Sequence, residues 1–514
     1  MSLLGIDLGT SGVKALLIDE SGNALASATV EYPLSTPQPL WSEQNPADWW
    51  RGTCDAIRAV LSKSGVKGGD VRAIGLSGQM HGLTLLDKNG EVLRPAILWN
   101  DQRTAEQCES ITNKIGGVSR VLEKTANVVL PGFTAPKLLW VRENEPSVFA
   151  SVMKWLLPKD FIRFKLTGEY MTEVSDASGT SLFDVKNRRW SDAMLSTLDL
   201  SKDQLARCVE SHEITGKVSS NAAQETGLAE GTPVVGGAGD QAASAVGAGI
   251  VREGVVSVTI GTSGVVFASM DRFAATPNGE LHAFCHALPN TWHVMGVMLS
   301  AGGSLQWWRN VLRQVGDLGL ANGSVSHALQ SLNYDQLLSA ANESSAGAEG
   351  LIFLPYLTGE RTPHPDPLAR GAFIGLTTRH TQAHLARAVV EGITYGLRDS
   401  LELARSLGIT VNEIRVAGGG AKSAVWRQIL ADIFDCEITL INSSEGGAFG
   451  VALLAGVGAG VWKDAREACD ATLRVTNRVL PSKNTFTREA YEKSYEVYRA
   501  LYPILKSTFG RMRG

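Results

Sequence analysis

Apolar residues open the chain in two dense runs, Leu3, Leu4, Ile6 and Leu8, then Val13, Ala15, Leu16, Leu17 and Ile18. Between them Gly9 to Gly12 is small and polar, so the pattern predicts a strand, a tight turn and a second strand, a β-hairpin. The pattern returns at Val256 to Ile260, followed by Gly261-Thr262-Ser263-Gly264 and Val265-Val266-Phe267. Gly-Thr-Ser-Gly-Val therefore stands twice, about half the 514-residue chain apart. A repeat at that interval predicts two similar α/β domains, residues 1–246 and 247–514, each opening on a hairpin whose turn faces the cleft between them.

Other segments follow from the same patterning. Asn45 as N-cap and Pro46 at the first helical position predict a helix running to about Lys63 and stopping before Gly65. Val71 to Leu76 reads as a buried strand ending in Ser77-Gly78-Gln79-Met80-His81-Gly82, and Ala96 to Leu98 as another ending in Trp99-Asn100-Asp101. Residues 104 to 230 read mostly as helices and loops that form an insert. After it a strand ends near Val235, and Asp240 opens a helix before a glycine-punctuated hinge at residues 244 to 254. In the second half, residues 314 to 348 read as a surface excursion and 359 to 367 as a stiff proline-rich loop. His384 to about Leu407 has helical spacing, Ile414 to Ala417 is a strand running into Gly418-Gly419-Gly420, and the tyrosines between Arg488 and Lys506 share one face of a C-terminal docking helix.

Composition narrows the partners. The chain is 44% hydrophobic and 19% charged with a net charge of −4, which offers no basic surface for nucleic acid. An anionic ligand must be met by local groups such as Lys14, loop amides or a bound metal. Six scattered cysteines without a CxxC pair suit thiols kept reduced in a cytoplasm, and no apolar run reaches membrane-spanning length. The first strand leaves no room for a signal sequence.

Candidate chemistry sits at the turns. Gly9, Thr10 and Ser11, and Gly261, Thr262 and Ser263, combine backbone amides with hydroxyls and suit a phosphate gripped from both sides. Asp7 lies in an apolar strand, either as a satisfied buried acid or beside a hydrated magnesium ion. Gln79 and His81 are neutral donors and acceptors of the kind a sugar needs, and Trp99 with Asn100 offers an aromatic face beside an amide. Asp240 is either a helix cap or an acid at the carboxyl end of a strand, where α/β sheets bind ligands. Gly418, Gly419 and Gly420 let a flat ring or phosphates approach the backbone. They form no dinucleotide fingerprint, because Ser423 stands where a glycine or alanine belongs.

With these residues in place, the chain resembles the FGGY carbohydrate kinases. The likeness covers nearly all of it and includes both signature regions, Gly132-Phe133-Thr134-Ala135-Pro136-Lys137 through Asn144 and Gly371 through Gly392. Trp41 to Gln44, Gly78 to Gly82, Trp99 to Asp101 and Leu354 to Pro363 look most like the D-xylulose branch, many of whose members carry Asn where this chain has Gln241. The resemblance implies an α/β actin-like ATPase fold, two ribonuclease H-like domains flanking a catalytic cleft, with ATP and Mg2+ as cofactors. It makes Asp240 the catalytic base, Met80 and His81 the sugar-binding pair, Asp7 the acid near magnesium, Thr10 and Thr262 parts of two phosphate loops, and Gly418 to Gly420 the adenosine motif. The expected reaction is phosphorylation of D-xylulose at its 5-hydroxyl, with L-ribulose, other ketoses and glycerol-type polyols as alternatives and an actin- or chaperone-like nucleotide switch as the rival class. A homodimer is left open.

Overall fold

The computed structural model describes residues 2–317 and 323–512. In it β1 (Ser2–Leu8) and β2 (Gly12–Asp19) pair antiparallel, with Leu8 opposite Val13 and Asp7 opposite Lys14, and β3 (Ala24–Glu31) pairs with β2. The strand Val71–Gly78 lies parallel on the other side of β1, and Pro233–Val235 and Ile214–Lys217 extend the sheet beyond it. Ala238–Gly239 continues along Val71–Gly78, also parallel. The hairpin turn closes as expected, through a Gly9 N–H bond to the Gly12 carbonyl at 3.0 Å.

Helices cover both faces of this sheet. On one, α1 (Pro46–Ser64) begins where Asn45 accepts the Ala47 N–H and ends at Gly65 in the left-handed region. Trp49, Ile57 and Val60 of α1 are wholly buried with Leu4, Ile6 and Leu17, each large side chain contributing about 1.5–3 kcal/mol. The other face takes the helix Gly446–Gly458 at very short range. A Cβ on Gly5 would stand 1.8 Å from the Ala448 carbonyl oxygen, and one on Gly75 would stand 1.9 Å from that of Val451. Only glycine allows this approach.

The described residues fall into two units. One contains Met1–Arg252, Ser269–His293 and Ser443–Arg474; the other contains Glu253–Ala268, Val294–Asn442 and Val475–Gly514. The second unit repeats the plan of the first sheet. Gly254–Ile260 pairs antiparallel with Gly264–Met270 and parallel with Val411–Gly418, and Glu437–Ile441 and Val475–Val479 follow at the edge. Gln382–Ser406 is a helix whose middle is almost completely buried.

Two stretches differ from the sequence expectation. The region 104–230 contains short strands among its helices: Lys154–Leu156 pairs with Thr84–Leu86, Met171–Glu173 with Arg207–Val209, and Ile214–Lys217 joins the main sheet. Strands of this length hold too few residues to show a period of two. The region 314–348 is largely helical, with Gly323–Gln330 and Tyr334–Asn342 following Gly302–Asp317; residues 318–322 of that stretch lie outside the described residues. A capping box between Asn333 and Gln336 starts the Tyr334–Asn342 helix. That spacing was readable in the sequence, whereas the small Ser- and Ala-rich surroundings hid the helical period.

Candidate active site

Register decides which loops meet in the first unit. Leu8 lies beside Gly78, and Gly78 beside Gly239, on neighbouring parallel strands. The next residues, Gly9, Gln79 and Asp240, therefore leave the sheet side by side at the carboxyl ends of three strands. Gln79 is buried and braces the turn: its Nε2 donates to Gln44 Oε1 at 3.0 Å and to the Gly9 carbonyl at 3.5 Å, and its Oε1 accepts the Thr10 hydroxyl at 3.2 Å. Gln44 Nε2 donates to the Thr10 carbonyl at 2.6 Å, and the Tyr32 hydroxyl donates to the Gly9 carbonyl. Ser11 is exposed at the tip.

Asp240 opens the helix Asp240–Gly247 behind Gly239, which is the N-cap residue and makes no side-chain cap bond. Asp240 is therefore the first helical residue and not the N-cap. Part of its surface reaches solvent, yet it is set deep enough that burial pushes its pKa up to about 7, with the nearby Asp7 charge adding to the rise. The backbone and side chain of Gln241 hydrogen-bond to it and favour the ionised form. Met80 packs against the preceding residue: a Cβ on Gly239 would meet Met80 Cγ at 2.9 Å and Sδ at 3.0 Å.

His81 takes the left-handed backbone conformation, φ 68°, which few non-glycine residues adopt. Two donors hold it there, since Lys137 Nζ at 2.9 Å and Thr134 Oγ1 at 3.1 Å both bond its carbonyl. Lys137 is fully buried, and burial lowers its pKa to about 7. The imidazole stacks on Phe133 with centroids 4.6 Å apart, and its Nδ1–H donates to the Gly179 carbonyl at 2.7 Å. A Cβ on Gly179 would lie 2.4 Å from the ring.

Trp99 keeps 43% of its surface exposed while its Nε1–H donates to Thr10 Oγ1 at 2.9 Å. Asn100 has a buried Oδ1 without a hydrogen-bond partner. Asp101 accepts the Ser42 N–H at 2.6 Å and pairs with Arg103, whose guanidinium also reaches Glu43 at 2.8 Å and lies 3.6 Å over the Trp41 ring.

Asp7 Oδ1 is buried and has no hydrogen-bond partner, and burial raises the pKa of this carboxyl above its ordinary value. The start of the Gly446–Gly458 helix closes on it: a Cβ on Gly447 would be 3.2 Å from its carboxyl carbon. Lys14 pairs with Glu445 at 2.6 Å. An orphaned buried carboxylate oxygen suits a cation or its water shell. Among the described residues no group of three or more acidic, histidine or cysteine side chains forms a metal cage, so a divalent ion would be held mainly by Asp7, water and the oxygens of its ligand.

In the second unit Ile260 lies beside Gly418, and a cavity of about 590 Å³ opens at these strand ends. Gly261, Thr262, Gly419 and Gly420 line it, with Leu305, Leu338, Tyr334 and Trp426 as its apolar wall and Asn333 and Asp335 at its side. Thr262 and Ser263 are exposed, and the Gly261 N–H is held by the Ser263 carbonyl at 2.9 Å. Gly418 has φ 83°, and a Cβ there would stand 2.4 Å from the Ile260 carbonyl. Arg427 supports the glycine turn through bonds to the Ala421 and Lys422 carbonyls at 2.6 and 2.9 Å. The wall residues 333–338 lay in the stretch that the sequence left as an excursion. Tyr32 and Gly179 carried no sequence signal of a role in the first unit.

Two sheets of one plan, one with a carboxylate at its strand ends and the other with a glycine-lined cavity, define a two-domain α/β fold of the sugar-kinase type. The chain belongs to the FGGY family of carbohydrate kinases: residues 2–247 match its N-terminal domain and residues 256–459 its C-terminal domain. A xylulose kinase of Escherichia coli (strain K12) is 44% identical over 503 residues, which cover 98% of this chain and 99% of that protein. A xylulose kinase of Bacillus subtilis (strain 168) is 39% identical over 98% of this chain and 97% of its own length. The crystal structure of a xyloylose kinase from Brucella ovis is similar, with a TM-score of 0.89 at 40% identity, covering 99% of this chain and 100% of the other.

Proposed function

We propose that the protein transfers the γ-phosphoryl group of ATP to the 5-hydroxyl of D-xylulose, giving D-xylulose 5-phosphate in pentose catabolism. The observation that carries this reading is Asp240, a carboxylate with a pKa near 7 that directly follows Gly239, against which Met80 packs, at the strand ends that also present Gly9 and Gln79. Asp240 accepts the proton of the sugar hydroxyl as the P–O bond forms. Phosphoryl transfer has a loose transition state, so its first duty is to orient the alcohol. His81, Trp99, Asn100 and Gln241 hold the sugar through neutral groups. In the second unit the Thr262 turn and Gly418–Gly420 bind the nucleotide, the base occupying the apolar side of the 590 Å³ cavity, and in the first unit the Thr10 turn offers amides and hydroxyls suited to phosphate.

A magnesium ion near Asp7 supplies charge neutralisation for the phosphate oxygens when it is bound. The neutral character of the sugar loops supports a ketose over a sugar acid. Arg103, the cation nearest to those loops in sequence, is buried against Trp41 and committed to Asp101 and Glu43. A cytoplasmic location fits six cysteines that make no disulfide and the absence, among the described residues, of a helix long and apolar enough to cross a membrane. The test is ADP release with and without D-xylulose, with the product read by phosphorus NMR. Turnover should rise with the sugar and yield a phosphomonoester at carbon 5; nucleotide turnover indifferent to sugar would return the molecule to the class of nucleotide switches.

A further inference from the structure

Beneath residues 233–239, the segment that leads into Asp240, lies a set of charged side chains fully shielded from solvent: Lys159, Asp160, Arg163, Glu173 and Asp176. Lys159 Nζ stands 2.8 Å from Asp160 Oδ1, 3.1 Å from Asp176 Oδ2 and 3.5 Å from Glu173 Oε1. As a source of stability such a group is a poor choice, because desolvation offsets the attraction and apolar packing serves as well. Its contacts point to another duty, which is to hold backbone.

Arg163 donates to the Val235 and Gly236 carbonyls, both at 2.6 Å, and so fixes the bend between Pro233–Val235 and Ala238–Gly239. Glu173 accepts the Ser175 and Asp176 amides at 2.7 and 2.8 Å and the Ser211 hydroxyl at 3.0 Å. Its Oε1 also accepts the Ser175 hydroxyl at 2.9 Å. The single hydroxyl proton of Ser175 is thereby committed, and its oxygen turns a lone pair to the Gly239 N–H at 3.0 Å. Gly239 directly precedes Asp240 and has no side chain with which to anchor itself, since Met80 fills that space.

We propose that Ser175, oriented by Glu173, is a positioning residue for the Asp240 carboxylate. The hydroxyl fixes the plane of the Gly239 peptide, which sets the direction in which Asp240 leaves the sheet. It also holds the first turn of the helix, so that the Gln241 bonds reach the carboxylate. Asp7 is the charged group that faces Asp240 across this site. The inference rests on Asp240 being the base, and the experiment separates the two claims.

The experiment compares steady-state kinetics of the full chain as Ser175→Ala, Ser175→Thr, Asp240→Asn and the double variant, with D-xylulose and MgATP. Ser175→Ala should lower kcat by roughly tenfold to a hundredfold, the size of effect expected of a misplacement up to about 1 Å, with KM for ATP unchanged. The acidic limb of its pH profile should move to higher pH, because the Gln241 bonds that favour the carboxylate are loosened. Ser175→Thr keeps the hydroxyl and should restore both. In the Asp240→Asn background Ser175→Ala should add no further loss, since both changes act through one group. A Ser175→Ala variant with a lowered Tm but unchanged kcat and pH profile would overturn the proposal, as would an equal loss in the Asp240→Asn background. Near-normal turnover in Asp240→Asn alone would instead remove the base. Should the alanine variant not fold, Ser175→Cys, with its weaker acceptor, takes its place with the same two outcomes.

Discussion

Asp240 works against its surroundings. Burial and the Asp7 charge favour its protonated form, while the base role proposed for it requires the ionised form. With a pKa near 7, kcat/KM should fall roughly tenfold per pH unit below about pH 7 as the base fraction is lost. A profile flat from pH 6 to 8 would contradict this assignment. Asp240→Asn keeps the shape without the proton acceptor and should lose about 10² to 10⁴ in kcat while still binding ATP by calorimetry. The same substitution has a stability consequence. A carboxyl whose folded pKa lies above its unfolded value stabilises the fold only while protonated, and that contribution is lost as pH rises through about 7. The Tm of Asp240→Asn relative to the unsubstituted protein should therefore be higher at pH 8 than at pH 5. A difference in Tm that does not change with pH would mean that the carboxyl is not shifted.

At the scale of elements, the glycines at the strand ends are steric requirements. Gly418 sits at φ 83° with the Ile260 carbonyl 2.4 Å from any Cβ, so Gly418→Ala meets both backbone strain and a clash. It should cost upward of about 1 kcal/mol and weaken nucleotide binding while leaving the first unit's sheet intact. Equilibrium unfolding and nucleotide titration of the variant read the two effects separately, and normal binding would remove the Gly418 turn from the site. The hairpins and α1 were legible in the sequence because their determinants are local: Gly9 and Gly12 at a turn, Asn45 and Pro46 at a helix start, Gly65 at its end. Asp240 was legible as an acid between a strand and a helix. The neighbouring placement of Leu8, Gly78 and Gly239 was not, because parallel pairing joins residues far apart in the chain. Nor was the Glu173–Ser175 link, since polar residues of a mixed insert look alike whether they face solvent or hold a buried backbone. The Lys14–Glu445 pair joins opposite ends of the chain and has no local signature.

Across the whole molecule, one sheet plan is used twice with different chemistry at its strand ends. In the first unit Leu8 beside Gly78 presents the turn of Thr10 and, one strand further, Asp240; in the second Ile260 beside Gly418 presents a glycine-lined cavity. Repetition of the hairpin motif in sequence thus reports repetition of topology, while the residues just past each strand decide the task of each unit. For the sugar, the account depends on neutral groups and on Arg103 being locked away. A hydroxyl that leaves a buried partner unpaired costs about 1 to 3 kcal/mol, enough for roughly tenfold or more in specificity. The most direct measurement is the specificity constant from ADP release across D-xylulose, L-ribulose, other ketopentoses, ketohexoses, glycerol and gluconate under matched conditions. The account predicts the largest kcat/KM for D-xylulose and the smallest for gluconate; a larger value for ribulose, glycerol or gluconate would contradict it.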